Sequence, residues 1–523
     1  MNKFVYKHQQ YHNPFKMNRR NFLKNGGLLM FGAAMAPGLL KANAPSSAEE
    51  TTTAFGMNHF GVSENDLRKV LAVALEKGGD YADLFFEHTF NNSVSLQDGA
   101  VNQAGSNIDF GMGVRVLKGD QTGYAFVENV TMEDMLNAAR TAARIADDGK
   151  GNSPAPFNAT PVTNNFYAIQ TPWDRIELAS KMPYLQKLND QIFAQDPRVV
   201  KVSAFLSDTT SHIFFCNSEG MMYYDYRPMV SLGAFCIMEQ NGEKESGNAN
   251  RSFRTGTEFL SDELVADLAK ETVSSTARMF GAITPQGGEL PVVMAAGGSG
   301  ILLHEAIGHA FEADFNRKNT SIFSDKLGKT ICNENINVVD DATIPNNRGS
   351  VNIDDEGVAG QKTYIVKNGV LNSYLHDRLS AAHYGIASTG NGRRESFREI
   401  PMPRMRATYM EGGNASEAEI VSSVKNGIYA EKFTNGQVQI GAGDFTFFVK
   451  LGYLIEDGKL TQPIKDINII GNGPKALAAV TMVGNNPKID NGTWTCGKNG
   501  QSCPVTCGMP TVLVSKLTVG GKG

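Results

Sequence analysis

The run Gly297-Gly298-Ser299-Gly300-Ile301-Leu302-Leu303-His304-Glu305-Ala306-Ile307-Gly308-His309 constrains this chain more than any other stretch. It reads as a glycine turn entering an apolar helix that carries two histidines and a glutamate. Neutral imidazole is the commonest protein ligand for transition metals, and a glutamate beside it can polarise a metal-held water. The spacing, however, is His-Glu-x-x-x-His, one residue longer than the zinc-peptidase pattern. On a regular α-helix, positions i and i+5 lie ~140° apart, too far round to share one ion. The two histidines are therefore either separate core residues or ligands on a helix widened locally. Gly308 is the cheapest place for a π-bulge or kink, and π-bulges gather at functional sites. The expectation is the widened helix, with both imidazoles turned to one side.

Two imidazoles leave a catalytic zinc one protein ligand short, because such sites combine three with a water. His376, His383, Cys496 in Trp494-Thr495-Cys496-Gly497-Lys498, and carboxylates such as Asp444 or Glu456 all lie downstream. Residue type does not choose among them, although a thiolate binds zinc well. A glycine turn before a helix also suits a phosphate. Neither Gly-Lys-Ser/Thr nor G-x-G-x-x-G accompanies it here, so close backbone approach is the simpler role.

The 523 residues suffice for two or three domains with sizeable cores. A formal net charge of −5 gives no sign of a nucleic-acid partner, which needs a basic face. No run of apolar residues is long enough for a stable membrane span. Abundant glycine, 54 residues against 20 prolines, favours a turn-rich fold with many strands.

Asn18-Arg19-Arg20-Asn21-Phe22-Leu23-Lys24 matches a twin-arginine export signal, with Asn where Ser or Thr is usual. A mildly hydrophobic Gly/Ala-rich segment and the small-x-small site Ala42-Asn43-Ala44 follow. Residues 1–44 read as a signal segment, residues 1–16 as an extension before a start at Met17, and the mature protein as beginning near Pro45. The expected location is the periplasm, with the cytoplasm as the alternative. Six cysteines in this length form no disulfide framework. Cys503 and Cys507 could pair after export, while Cys216, Cys236 and Cys332 read as buried thiols.

Along the chain, Thr51 to Asn58 is a polar leader. Ser63-x-x-Asp66 and Thr131-x-x-Asp134 start helices, and a further helix is expected over Trp173–Phe193. Strand-like runs separate them. Thr284-Pro285-Gln286-Gly287-Gly288 is the best boundary. The predicted class is α+β: an N-terminal α/β domain (45–285) of antiparallel strands and packed helices, then a β-rich domain (286–523) carrying the His-Glu-x-x-x-His helix. Arg393-Arg394-Glu395 reads as a solvated turn.

Several motifs in order resemble the TldD half of the TldD/PmbA family, known as modulators of DNA gyrase. They are Gly298-Ser299-Gly300 with His304-Glu305-Ala306-x-Gly308-His309; Asp354-Asp355-Glu356-Gly357; Gly390-Asn391-Gly392-Arg393-Arg394-Glu395-Ser396 with Pro401-Met402-Pro403-Arg404-Met405; Cys496-Gly497-Lys498-x-Gly500-Gln501-Ser502; and Leu517-Thr518-Val519-Gly520-Gly521. Tyr81-Ala82-Asp83 and Gly111-x-Gly113-Val114-Arg115 match on the N-terminal side. The resemblance spans about Asp66 to Gly521. It implies a zinc metallopeptidase with one Zn2+ per subunit, held by His304, His309 and Cys496, with Glu305 as general base. It also implies a dimer, either with itself or with a related subunit lacking the His motif, acting on unfolded polypeptides or peptide precursors. The rival expectation is an exported, non-catalytic peptide-binding or partner subunit of the same fold.

Overall fold

A computed structural model of the chain describes residues 48–146, 151–160, 162–439 and 441–521. The expected export signal and processing site lie outside these residues. Among the described residues no helix is long and apolar enough to cross a membrane, which leaves strands untested.

The first half is built on one twisted sheet. Its strands are β1 (Tyr81–Gln97), β2 (Ala100–Lys118), β3 (Gln121–Val127), β4 (Asn158–Ala159), β5 (Val199–Asn217), β6 (Met221–Gln240) and β7 (Glu243–Phe253). The order is β3-β2-β1-β5-β6, with β4 and β7 also pairing with β6; all pairs are antiparallel except β4–β6. Side chains alternate between faces with period two. On β1 and β5 the even positions, such as Leu84, Phe86, Val94, Leu96, Leu206 and Phe214, enter apolar clusters beneath helices. The covering helices are α1 (Ala48–Phe60), α2 (Glu64–Leu75), α3 (Met132–Ala143), α4 (Met182–Gln195) and α5 (Asp262–Ala277). Odd positions, including Glu87, Thr89, Asn91, Ser207, Thr209 and Ser211, line a polar space on the opposite face.

The caps behave as their sequences dictate. Ser63 accepts from the Asp66 amide and Asp66 reaches back to the Ser63 amide, a reciprocal capping box; Thr131 accepts from the Asp134 amide. Two expectations need correction. The polar leader is part of α1, because Phe60 is buried on the sheet beside Phe86 and Phe214. The long helix from Trp173 is two 3₁₀ turns followed by α4. Pro183 has no amide hydrogen and fits only the first turn of a helix, so α4 starts there.

The second half is β-rich, as predicted. Strands Lys459–Asn472, Asp444–Glu456, Asn426–Gln439, Gly288–Met294 and Val512–Gly520 pair in that order. Asn468–Ile470 then pairs with Thr518–Gly520 and closes the sheet into a barrel. A second, six-stranded sheet includes Val338–Asp341, Ala407–Met410 and Thr506–Met509.

The two halves are tied by buried charge. Asp83 and Arg115 are register partners on β1 and β2, with Arg115 Nη2 2.5 Å from Asp83 Oδ2. Arg115 Nη1 lies 2.5 Å from Glu356 Oε1 across the interface. Gly111 and Gly113 leave room for the chain at Phe397: a Cβ at either would overlap Phe397 atoms. Tyr124 donates to the Phe397 carbonyl at 2.5 Å. Arg115→Met is expected to cost about 3–5 kcal/mol, because two buried carboxylates lose their counter-cation. A denaturant midpoint unchanged from the parent protein would refute this role.

Candidate metal centre

Strand Gly288–Met294 leads into the glycine turn at the wall of the barrel. Gly297 adopts φ +100°, a left-handed conformation that side chains resist. A Cβ at Gly300 would overlap the backbone of Gly508, so the close-approach role is the one the structure shows. The chain then forms a π-helix over Leu302–Gly308, and the His309 amide donates to the His304 carbonyl. This i→i+5 bond is the predicted widening. Leu302, Leu303, Ala306 and Ile307 bury themselves in the barrel core. Gly308 has ordinary helical φ (−59°), so its value here is space: a Cβ there would overlap Met405 Sδ.

Both imidazoles turn to one side, with ring centroids 5.1 Å apart. Cys496 arrives on a hairpin, Thr495–Lys498 paired with Gln501–Pro504. Its turn residues Asn499 and Gly500 have φ +51° and +80°, the conformation of a tight two-residue hairpin. Arg404 Nη2 donates to the Cys496 carbonyl at 2.6 Å and steadies that hairpin. Cys496 Sγ lies 3.4 Å from His309 Nε2. One ligand atom from each of His304, His309 and Cys496 lies within 4.8 Å of the others, and all three residues are buried.

These donors fit zinc. With Zn–N and Zn–S bonds of their usual lengths, the S···N edge of a tetrahedral site is ~3.5 Å, close to the observed separation. Burial would push the Cys496 thiol up, but His304 and His309 outweigh it and bring it down to about 4, the direction a thiolate ligand needs. The buried Nδ1 of His304 has no hydrogen-bond partner among the described residues, an orphan that a bound group would explain.

His309 has a second partner. Its Nδ1 is 2.9 Å from Glu312 Oε2, and that oxygen is 3.1 Å from Lys498 Nζ. Burial favours a neutral Glu312, yet Lys498 and then His309 hold its carboxyl down to about 2. An ionised carboxylate on Nδ1 fixes the ring and leaves Nε2 free towards Cys496. Glu312 and Lys498 escape a reading of the sequence by ligand type. Their signals are positional: one lies three residues after His309, the other two after Cys496.

Glu305 is half-buried and lines a cavity of ≈ 240 Å³ with His304, Thr434, Gly436, Trp494 and Thr495. A Cβ at Gly436 would come within 3.1 Å of Glu305 Cγ. The other candidate ligands lie elsewhere. His376 is buried against Tyr374 and Tyr384, and His383 meets Tyr384 edge-on. Asp444 and Glu456 are exposed at the ends of a barrel strand. Arg393 and Arg394 are buried, at 4% and 5% exposure, which corrects the solvated turn. Arg394 is drawn inward by Asp355, whose Oδ2 accepts from its amide at 2.9 Å. None of the six cysteines is in a disulfide, and Cys503 lies across from Cys496 rather than against Cys507.

Comparison with known proteins places the chain in context. It matches models of the PmbA/TldA metallopeptidase domain 1 over residues 82–146, central domain over 171–280 and C-terminal domain over 287–521. It is 37% identical over 468 residues to a Haemophilus influenzae protein named metalloprotease TldD homolog, covering 88% of this chain and 97% of that one. A Saccharolobus solfataricus protein named zinc metalloprotease TldD homolog is 28% identical, covering 87% and 99%. A Thermotoga maritima crystal structure, described as a candidate modulator of a DNA gyrase, shares the fold with TM-score 0.71 and 23% identity, covering 87% and 99%. TldE from Thermococcus kodakarensis shares it with TM-score 0.68 and 18% identity, covering 87% and 100%.

Removing the charge that orients His309 tests the cluster directly. Glu312→Gln is expected to weaken binding of added zinc roughly 10–100-fold. Competition with a chromogenic chelator measures it, and undiminished affinity would exclude the orienting role.

Proposed function

The chain belongs to the PmbA/TldA metallopeptidase family, and from that premise we propose that it is a zinc-dependent peptidase with His304, His309 and Cys496 as ligands and Glu305 as general base. One observation carries the reading: a π-turn and a hairpin 187 residues downstream of His309 bring two imidazoles and a thiolate within reach of one ion. The proposed stoichiometry is one Zn2+ per subunit.

Zinc bound there supplies Lewis-acid polarisation and lowers the pKa of a water towards ~7. The chain's own residues do the rest. The Glu305 carboxylate, in the cavity beside His304, accepts the water's proton and passes it to the leaving amine. Glu312 keeps the His309 proton on Nδ1. Trp494 and Thr495 form part of the same cavity's wall.

The proposed substrates are unfolded polypeptides or peptide precursors held in extended form. Main-chain pairing to a strand edge would give low sequence selectivity. The proposed assembly is a homodimer, or a heterodimer with a related subunit lacking the His motif; the shared fold of TldE supports a second subunit of this shape. The twin-arginine motif supports export to the periplasm, with the ion loaded before translocation because that route carries folded proteins.

Glu305→Gln is expected to retain zinc and lose at least ~100-fold in turnover of an unfolded substrate; parental turnover would remove Glu305 as the base. Cys496→Ser is expected to lose most of its zinc by elemental analysis. Zinc retained in full would remove the sulfur from the ligand set.

A further inference from the structure

The polar face of the N-terminal sheet and the Arg393–Glu399 segment enclose a second, larger cavity of ≈ 620 Å³. Thr495 lines both this cavity and the one holding Glu305, so the two spaces share a wall one residue from Cys496. Six arginines line the larger space. Three are neutralised: Arg227 by Asp355 at 2.5 Å, Arg398 by Asp109 at 3.0 Å, and Arg394 by Asp83 at 3.7 Å.

The other three, Arg254, Arg348 and Arg393, form no ion pair among the described residues. Arg254 donates to the carbonyls of Arg348 and Pro228, at 3.2 and 3.4 Å. Arg393 donates to those of Met405 and Pro504, at 2.7 and 2.8 Å. Arg348 donates to the Trp494 carbonyl, Ser252 Oγ and Thr495 Oγ1, at 2.9, 2.7 and 3.3 Å. Each of these acceptors is neutral. Arg254 and Arg393 are also buried, at 6% and 4% exposure. The carboxylates of Glu87, Asp354, Glu395 and Glu399 also line the cavity, yet none pairs with the trio: Glu87 accepts from Thr89 Oγ1 and the Phe397 amide, Asp354 from the Glu356, Val358 and Gly392 amides, and Glu395 Oε2 from the Ser502 amide at 2.8 Å. Burial, then the neighbouring arginines, bring Arg348 down to about 10.

With Arg254 and Arg393 enclosed and Arg348 half-buried beside them, keeping this trio together without an ion-paired carboxylate is expensive. Such a group persists where a ligand supplies the charge, and a planar guanidinium matches a carboxylate in two-point contact. Arg348 also touches both residues, Trp494 and Thr495, that wall the Glu305 cavity. We infer that Arg254, Arg348 and Arg393 form an anion subsite that takes a carboxylate of the peptide substrate while the scissile bond lies beside Glu305. This deepens the peptidase reading and rests on it. The carboxylate is the chain terminus of a short peptide or an Asp or Glu side chain.

Binding separates this inference from catalysis. The full-length Glu305→Gln protein, loaded with zinc, is titrated with a fluorescent unfolded peptide in three forms: free C-terminus with an internal Glu, amidated C-terminus with Glu, and free C-terminus with Gln. Fluorescence anisotropy is expected to show about 10–100-fold weaker binding for one neutralised form, and which form it is identifies the source. Equal affinity for all three, or tighter binding of a neutralised form, overturns the subsite. In the same background Arg348→Gln is expected to shrink the affinity ratio, with Arg348→Lys retaining part of it; an unchanged ratio overturns the assignment of Arg348. If Arg348→Gln does not fold, the three peptides on the parent background still decide. Hydrolysis by the unsubstituted protein is a separate result: no cleavage of any peptide removes the peptidase reading, while the affinity ratio still judges the subsite.

Discussion

A single backbone hydrogen bond, from the amide of His309 to the carbonyl of His304, sets the terms for everything around it. Without it the two rings would point to different sectors of the helix. With it they face each other, and the extra residue per turn becomes the means of convergence. Such a turn sacrifices ordinary helical geometry, and the barrel repays that loss by burying Leu302, Leu303, Ala306 and Ile307. Gly300, Gly308 and Gly436 clear space on three sides, towards Gly508, Met405 and Glu305. The centre is thus held by closeness as much as by bonding.

Charge performs the same service at longer range. Lys498 steadies Glu312, Glu312 steadies His309, and His304 with His309 draws the Cys496 thiol down. A separate chain of pairs, Asp83 to Arg115 to Glu356, fastens the N-terminal sheet over the C-terminal half. On the face bearing the sheet's odd-numbered side chains, Phe85, Ile213, Phe215 and Tyr223 pack with Ile353 and Phe397 in a small apolar cluster, while Glu87, Thr89, Asn91, Ser207, Thr209 and Ser211 leave a polar chamber beside it.

Much of this was legible in the residues. The i, i+5 spacing of His304 and His309 left two geometries, separate core histidines or a locally widened helix, and the second was the expectation that the π-turn meets. The caps at Ser63 and Thr131 were local and therefore visible. What lay hidden depends on partners distant in the chain. Nothing near Cys496 says that its sulfur meets His309, and residue type alone left it level with His376, His383, Asp444 and Glu456; only family resemblance singled it out. Arg393-Arg394-Glu395 looks like a surface turn because the groups that enclose it, Asp355 and Pro504 among them, are far away in sequence. Phe60 fastens α1 by the same kind of remote contact, with Phe86 and Phe214.

The barrel has a temporal consequence. Strand Gly288–Met294 pairs with Asn426–Gln439 on one side and with Val512–Gly520 on the other. The wall that supports the histidines is therefore incomplete until the later strand has left the ribosome, more than two hundred residues after the first. Pairings so distant are slow to form, and the nascent chain meanwhile exposes the apolar flank of the histidine segment. The apolar flank of the histidine segment is therefore uncovered from its emergence until the last strand is made, and the three candidate ligands converge only at the end of maturation.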